Sequence, residues 1–382
     1  MSKTCKVALI GQKFMGRAHS NAYAQVGHFF DLPMLPEREL VCGRDEGDLS
    51  EFAKKWGWSR HTTQWEDITE DEDIDLVDVS TPNDLHCDPS VAMLAAGKHV
   101  ACEKPLANSL ADARRMATAA QDAPGCKTFV WFNYRRCPAV ALAHRFVREG
   151  RLGEVYHVRA RYLQSWGGPN TPMSWRFDKQ RAGSGAHGDL NAHIIDMARF
   201  ITGDEIVAVH GAIARTFIGE RHLPGGDESQ SVDVDDCTLF LASFAQGAVA
   251  SFEATRLAAG HQNRNTIEIN GSKGSLRFDF EDMNVLQFHD GFDVRADSGW
   301  TRIMCTSAEH HPYASNWWPD AHVIGYEHGF INMAADIMRV LGGEEPLIPL
   351  PDFADAYRTQ RVLEAALISA DQGCTIKLAD VS

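Results

Sequence analysis

The chain has no C-x-x-C pair. Its nine cysteines (5, 42, 87, 102, 126, 137, 237, 305 and 374) are odd in number and scattered over 382 residues. That pattern argues against a disulfide framework and against a zinc knuckle, and it fits a reducing, cytoplasmic compartment. No apolar stretch approaches the roughly 18 residues needed to span a membrane. Residues 1–10 read directly as a strand with no signal-peptide apolar region, so no leader is expected. There is no long basic run, and the formal net charge is −15. A nucleic-acid partner is therefore disfavoured. No internal repeat or low-complexity tract is evident.

What is present is the composition of an ordinary globular protein, 44% apolar and 23% charged, with length enough for two domains. Over roughly the first 125 residues short apolar runs alternate with helical patterns. Strands are expected at 6–10, 39–42, 75–80 and 99–102, with helices near 16–27, 49–56 and 90–96. That alternation implies βαβ units and a parallel sheet. After about residue 134 the pattern becomes one of strands with few helices between them, at 155–163, 207–216, 237–244, 248–255, 265–270 and 275–279. Tight turns are marked by Asn270-Gly271 and Lys273-Gly274. A mostly antiparallel sheet with one open, amphipathic face follows. Long loops are expected at 223–230 and 311–320, the second rich in Trp and Pro, as a lid or pocket wall would be.

Chemistry concentrates at strand ends. Gly11-Gln12-Lys13-Phe14-Met15-Gly16, between the first strand and the first helix, matches G-x-G-x-x-G at its outer glycines only. Gly11 can make the tight turn and Gly16 can let helix and strand approach. Lys13 replaces the middle glycine and can offer a cation to a phosphate. The second strand normally ends in an acid that accepts from the adenosine ribose. Here Gly43 stands in that place, followed by Arg44, which favours a 2′-phosphate and hence NADP(H) over NAD(H); Asp45 could still swing in. The third strand runs into Thr81-Pro82-Asn83 and His86, suited either to a nicotinamide ribose or to a generic turn. The next ends on Glu103-Lys104-Pro105. A residue before proline is pushed toward extended geometry, so Lys104 is fixed at the sheet edge where ligands bind, and its ammonium can stabilise charge developing on an alcohol or carbonyl oxygen.

Within 183–196, Asp189 and His193 lie four apart and share a helix face. A histidine there can pass a proton, and Asp189 can orient it or bind a hydroxyl. The competing explanations are a satisfied core histidine and a metal site of His187, Asp189 and His193. The metal site lacks any further carboxylate ligands, so no metal is expected.

In this order, Gly11 to His19, Thr81-Pro82-Asn83, Glu103-Lys104-Pro105, Asn133-Tyr134-Arg135 and residues 183–196 resemble the Gfo/Idh/MocA family of nicotinamide-dependent oxidoreductases. The closest branch is the one with levoglucosan dehydrogenase-like enzymes, a likeness carried by residues 132–136, 138–140, 162–166 and 174–177. The resemblance implies an α/β chain: an N-terminal Rossmann doubly wound parallel sheet over residues 1–130, and a C-terminal α+β domain with a large, mostly antiparallel open sheet over 131–382 for substrate binding and oligomerisation. It implies Lys104, Asp189 and His193 as the catalytic set, acting on a secondary alcohol of a sugar, anhydrosugar or cyclitol. Lys104 would hydrogen-bond the reacting hydroxyl, His193 would exchange its proton, and Asp189 would fix both.

Cofactor contacts are expected from Gly11, Lys13, Phe14, Met15 and Gly16; from Arg44; from Thr81, Pro82, Asn83 and His86; and from Glu103, Lys104, Trp175 and Arg176. Substrate contacts are expected from Lys104, Tyr134, Arg135, Gln164, Trp166, Asp189 and His193, with the aromatics, Trp317 and Trp318 included, either stacking on a sugar or filling the protein interior. The cofactor is NADP or NAD. A homo-oligomer, dimer or tetramer, is expected from the open sheet. Two alternatives remain open: an NAD-dependent glycosidase of the same fold, and a non-catalytic nucleotide-binding regulator.

Overall fold

A computed structural model describes residues 3–226, 228–292 and 297–382. The chain forms two compact units. The first comprises residues 1–136, 312–318 and 324–357, and the second residues 137–311, 319–323 and 358–382.

In the first unit, strands β1 (Lys3–Ile10), β2 (Met34–Cys42), β3 (Arg60–Thr62), β4 (Leu76–Val79), β5 (His99–Cys102) and β6 (Thr128–Val130) make one sheet in the order β3-β2-β1-β4-β5-β6. Every neighbouring pair is parallel. Val7, Leu9, Val77, Val79 and Val100 are fully buried. Continuous Val/Leu runs of this kind suit a parallel sheet covered on both faces. Helices α1 (Phe14–Phe29), α2 (Glu46–Trp56), α3 (Glu66–Glu70), α4 (Cys87–Ala95) and α5 (Leu110–Asp122) connect the strands. The ends of α2 follow from local chemistry. Asp45 caps the backbone N–H of Asp48, Glu46 and Asp48 complement the positive end, and Gly57 in a left-handed conformation closes the helix. The order of strands reverses between β1 and β4, which is where doubly wound sheets open a ligand crevice.

The sequence reading assigns all of 131–382 to the second domain. The structure instead returns residues 312–318 and 324–357 to the first unit. Helix Tyr326–Leu341 buries Phe330, Ile331, Met333, Ile337 and Met338, each worth about 1.5–3 kcal/mol when taken from water, and it packs on α1. The Val130 and Phe353 amides also join this segment to β6, on Pro351 O (2.8 Å) and Thr128 Oγ1 (3.2 Å). The expected loop at 311–320 is therefore divided between the units. Trp317 is buried against Phe29 and Phe30, with Nε1 on Asn332 Oδ1 at 2.8 Å.

The second unit holds strands β7 (Val155–Leu163), β8 (Ile206–Arg215), β9 (Glu220–His222), β10 (Ser229–Ser231), β11 (Cys237–Phe244), β12 (Val249–Thr255), β13 (Arg264–Gly271), β14 (Gly274–Asp279), β15 (Val285–Asp290), β16 (Thr301–Met304) and β17 (Ile376–Lys377). Nine of them form one sheet, β16-β15-β14-β13-β7-β12-β11-β8-β17, and β9 with β10 forms a separate ribbon. The ribbon frames the expected loop at 223–230, of which Asp227 lies outside the described residues. The large sheet is antiparallel except for the β7–β12 pair. One face, carrying Val158, Ala160, Tyr162, Phe240 and Phe252, is buried beneath helices α6 (Pro138–Arg148) and α7 (Ala192–Thr202). The other is open and amphipathic, with Leu241 56%, Val249 55% and Ile213 51% exposed beside Arg159, Arg161, Glu268 and Arg277 around a concavity of about 630 Å³. Among the described residues no helix is long and apolar enough to cross a membrane.

Candidate functional site

At the end of β1 the chain turns through Gly11, whose φ of +119° side chains rarely adopt. A Cβ there would also meet Ser80 Oγ at 2.6 Å, and one on Gly16 would meet Gly11 O at 2.2 Å. The loop is anchored by Gly11 N to Cys42 O (2.9 Å) and Ser80 N to Ile10 O (2.8 Å), which ties together the ends of β1, β2 and β4. Helix α1 then starts at Phe14 with no side-chain cap, which leaves its first N–H groups without a side-chain acceptor, as a pyrophosphate site requires. A cradle that a Cβ would fill, at the foot of an uncapped helix, fits a dinucleotide. Phe14 is exposed and stacks on Tyr326. Lys13 Nζ lies 3.2 Å from Asp48 Oδ2, and Arg44 is exposed.

The end of β5 is built on a buried charge network. His19, on the inner face of α1, places Nδ1 3.0 Å from Asp78 Oδ2 and Nε2 3.0 Å from Glu103 Oε1. Asp78 also accepts from Tyr23 Oη (2.8 Å) and Trp131 Nε1 (3.0 Å), and the Trp131 ring lies against His19 with centroids 4.2 Å apart. Burial opposes charging the imidazole, but the Asp78 and Glu103 carboxylates outweigh it and hold the His19 pKa up at about 9. The other Glu103 oxygen accepts from the Lys104 backbone N–H at 3.0 Å. Glu103, expected on the cofactor, thus uses both carboxylate oxygens within the protein.

The Lys104–Pro105 peptide is cis. His86 is fully buried, with Nδ1 3.0 Å from Pro105 O and Nε2 3.0 Å from Thr81 O; burial depresses its pKa. It braces the Thr81–Asn83 turn against the segment after Lys104. Arg135, expected on the substrate, is buried and paired with Asp355 Oδ2 at 2.5 Å. Tyr134 is buried in the same turn.

In the second unit, residues His187–Asn191 form a π-helical turn that runs into α7. Such turns often mark functional sites. Asp235 sets the turn by accepting from Gly185 N (2.7 Å), His187 N (2.8 Å) and Thr238 Oγ1 (2.9 Å). A Cβ on Gly185 would lie 1.8 Å from Asp235 O, so only glycine lets the segment before the turn approach the one that leads into β11. Asp189 is partly exposed and its Oδ2 accepts from buried Arg256 Nη2 at 2.9 Å. His193, one turn on, is almost buried, with its ring 5.8 Å from that of Tyr162.

Around this pair, Tyr162 Oη and Gln164 Nε2 both donate to Asn263 Oδ1 (2.7 Å each), and Trp166 Nε1 donates to Gln164 Oε1 (2.6 Å). Arg256 lies over the Trp166 ring at 5.0 Å and donates to Arg176 O at 3.1 Å. Arg176 itself stacks on Trp175. Gln164, Trp166, Asp189 and His193 thus belong to one polar, aromatic-walled cluster. His187 does not join a metal set. It is buried, with Nε2 2.9 Å from Leu363 O and Nδ1 2.9 Å from Asn191 Nδ2.

Sequence reasoning misses His19, Asp78, Arg256 and Asn263. Asp78 had a signal: it is an acid inside the apolar run of β4, and an isolated charge on a doubly buried strand needs a partner. Arg256 directly follows β12 and Asn263 directly precedes β13, and neither carries a pattern of its own.

Residues 5–131 match the family described as "Oxidoreductase family, NAD-binding Rossmann fold", and residues 140–277 match the GFO/IDH/MocA C-terminal domain. The chain is 40% identical to levoglucosan dehydrogenase of Pseudarthrobacter phenanthrenivorans, over 98% of each. Among solved structures, an oxidoreductase domain protein from Kribbella flavida is 47% identical with a TM-score of 0.94, covering 99% of this chain and 100% of the other. Levoglucosan dehydrogenase in complex with NADH and levoglucosan is 40% identical with a TM-score of 0.92, covering 98% and 100%.

Proposed function

We propose that this chain, which belongs to the Gfo/Idh/MocA family of NAD-binding oxidoreductases acting on CH–OH groups, oxidises a secondary alcohol of an anhydrosugar of the levoglucosan type. The observation that carries the reading is the cluster around Asp189 and His193, in a chain similar over its whole length to an enzyme named for that substrate. Gln164, Asn263 and the Asp189–Arg256 pair offer donors and acceptors to hydroxyls, and Trp166 offers a face to C–H edges.

A bound nicotinamide would supply the hydride-accepting chemistry. Lys104 donates a hydrogen bond to the reacting oxygen and stabilises the charge that grows as its proton leaves. His193 takes that proton as general base. Asp189, held by Arg256, keeps the hydroxyl and the imidazole in register.

The charges beside β2 support NAD(H) over NADP(H), reversing the expectation from Gly43 and Arg44. Lys13 is already paired with Asp48, and Asp45, Glu46 and Asp48 crowd the same strand end. Three carboxylates against two cations disfavour a further dianion. Incubating the protein with a panel of anhydrosugars, sugars and inositols and either dinucleotide, while following reduced-cofactor absorbance, tests the reading. NADH production with levoglucosan or a close relative is expected. Absence of turnover across the panel sinks it.

A further inference from the structure

Gln12 fills the space that a side chain at Gly43 would take. A Cβ built on Gly43 would lie 1.7 Å from Gln12 Oε1 and 2.8 Å from Gln12 Cδ. The two positions are brought together because the loop after β1 is bonded to the last residue of β2, Gly11 N to Cys42 O at 2.9 Å. Gly43 directly follows that residue and donates its own N–H to Thr62 O at 3.2 Å. In dinucleotide-binding sheets this strand end presents the acid that accepts from the adenosine ribose 2′-hydroxyl. Here no side chain is available from the strand, and the amide of the preceding loop has moved in. Gln12 Oε1 is buried with no hydrogen-bond partner, a state that buried polar oxygens leave when a ligand or water completes them.

We infer that Gln12 is the ribose-recognition residue of this chain: its side-chain amide, reaching over Gly43, engages the adenosine 2′-hydroxyl in place of the missing strand-end carboxylate. The inference rests on the reading of the protein as a nicotinamide-dinucleotide enzyme. It explains the glycine at the strand end, since Gly43 must lack a side chain for the Gln12 amide to lie there. It also changes the basis of cofactor choice. An amide can accept from a hydroxyl or donate to a phosphate, so it does not repel a 2′-phosphate as an acid does. Charge selection then falls to Asp45, Glu46 and Asp48 set against Lys13 and Arg44.

The test is calorimetric or fluorescence titration of the full-length protein with NADH and with NADPH, for the wild type and for Gln12→Ala, Gln12→Glu, Gly43→Asp and the Gln12→Ala/Gly43→Asp pair. Gln12→Ala should weaken NADH binding about three- to tenfold, the value of one lost hydrogen bond. Gln12→Glu should raise the NADH-to-NADPH affinity ratio by about tenfold or more, because the carboxylate now opposes the 2′-phosphate. Gly43→Asp alone should weaken NADH, since it meets Gln12, and the paired variant should recover it. If both Gln12 variants leave the two affinities unchanged, or shift them equally, the inference is overturned while the functional reading stands. If the wild type binds neither dinucleotide, both are overturned.

Discussion

Lys104 is held from behind. Its backbone N–H is fixed by Glu103, Glu103 by His19, and His19 by Asp78, so the ammonium is presented from a segment whose anchor is fully buried. Replacing Lys104 or His193 by alanine should lower kcat at least tenfold, the low end of what a positioned proton-transfer or charge-stabilising group contributes. NADH affinity, measured by titration, should change little. His19→Ala should behave differently. It leaves the Asp78 and Glu103 carboxylates buried without their cation, a change that costs about 3–5 kcal/mol, readable as a lower midpoint in urea unfolding.

The same network predicts a pH dependence. The folded pKa of His19 is raised, to about 9, above an unfolded value of about 6.5. Its stabilisation is therefore complete below about pH 6.5 and is lost as pH rises through about 9. Urea midpoints between pH 7 and 10 should fall in the wild type, and that part of the fall should be missing in His19→Ala.

At the scale of elements, the π-helical turn and its glycine approach are what make Asp189 and His193 neighbours of Arg256 and Tyr162. Gly185→Ala places a methyl 1.8 Å from Asp235 O, so the His187–Asn191 turn must shift. Activity should drop at least tenfold, since a displacement of about 1 Å at a reacting group costs on that scale, and thermal unfolding should show a lower Tm.

Elements were legible wherever periodicity was clean. The strands at 99–102, 155–163 and 237–244 match β5, β7 and β11 residue for residue. The sequence pattern shows β2 only from 39 because Pro36 and the charges of Glu37 and Arg38 mask its first half, although it runs from Met34. β3, β6, β9, β10, β15, β16 and β17 carry too little pattern or length to be read. The return of 312–318 and 324–357 to the first unit is hidden from the sequence because a helix amphipathic on one face does not say which core it covers. Lys104, Asp189 and His193 stand out in the sequence as candidates through local motifs. Arg256 and Asn263 become visible only when β12 and β13 are paired with β7.

For the whole molecule, the open face of the second unit is the feature that a single copy leaves unexplained. Leu241, Val249 and Ile213 stand exposed among Arg159, Glu268 and Arg277, a combination of apolar and alternating charged groups that suits a self-complementary interface. The expected dimer or tetramer should weaken on Leu241→Asp, with sedimentation velocity showing a shift to smaller species at the same protein concentration. An unchanged distribution would remove this face from the assembly.

The central claim is that Lys104 and His193 serve net oxidation of an anhydrosugar hydroxyl at the expense of NAD. It is tested most directly by quantifying NADH formed against levoglucosan consumed by the purified protein. The account predicts one NADH for each sugar oxidised, with the yield collapsing in Lys104→Ala and His193→Ala. Sugar turnover without net NADH, as an NAD-dependent glycosidase would give, or NADH formation undiminished in both variants, would contradict it.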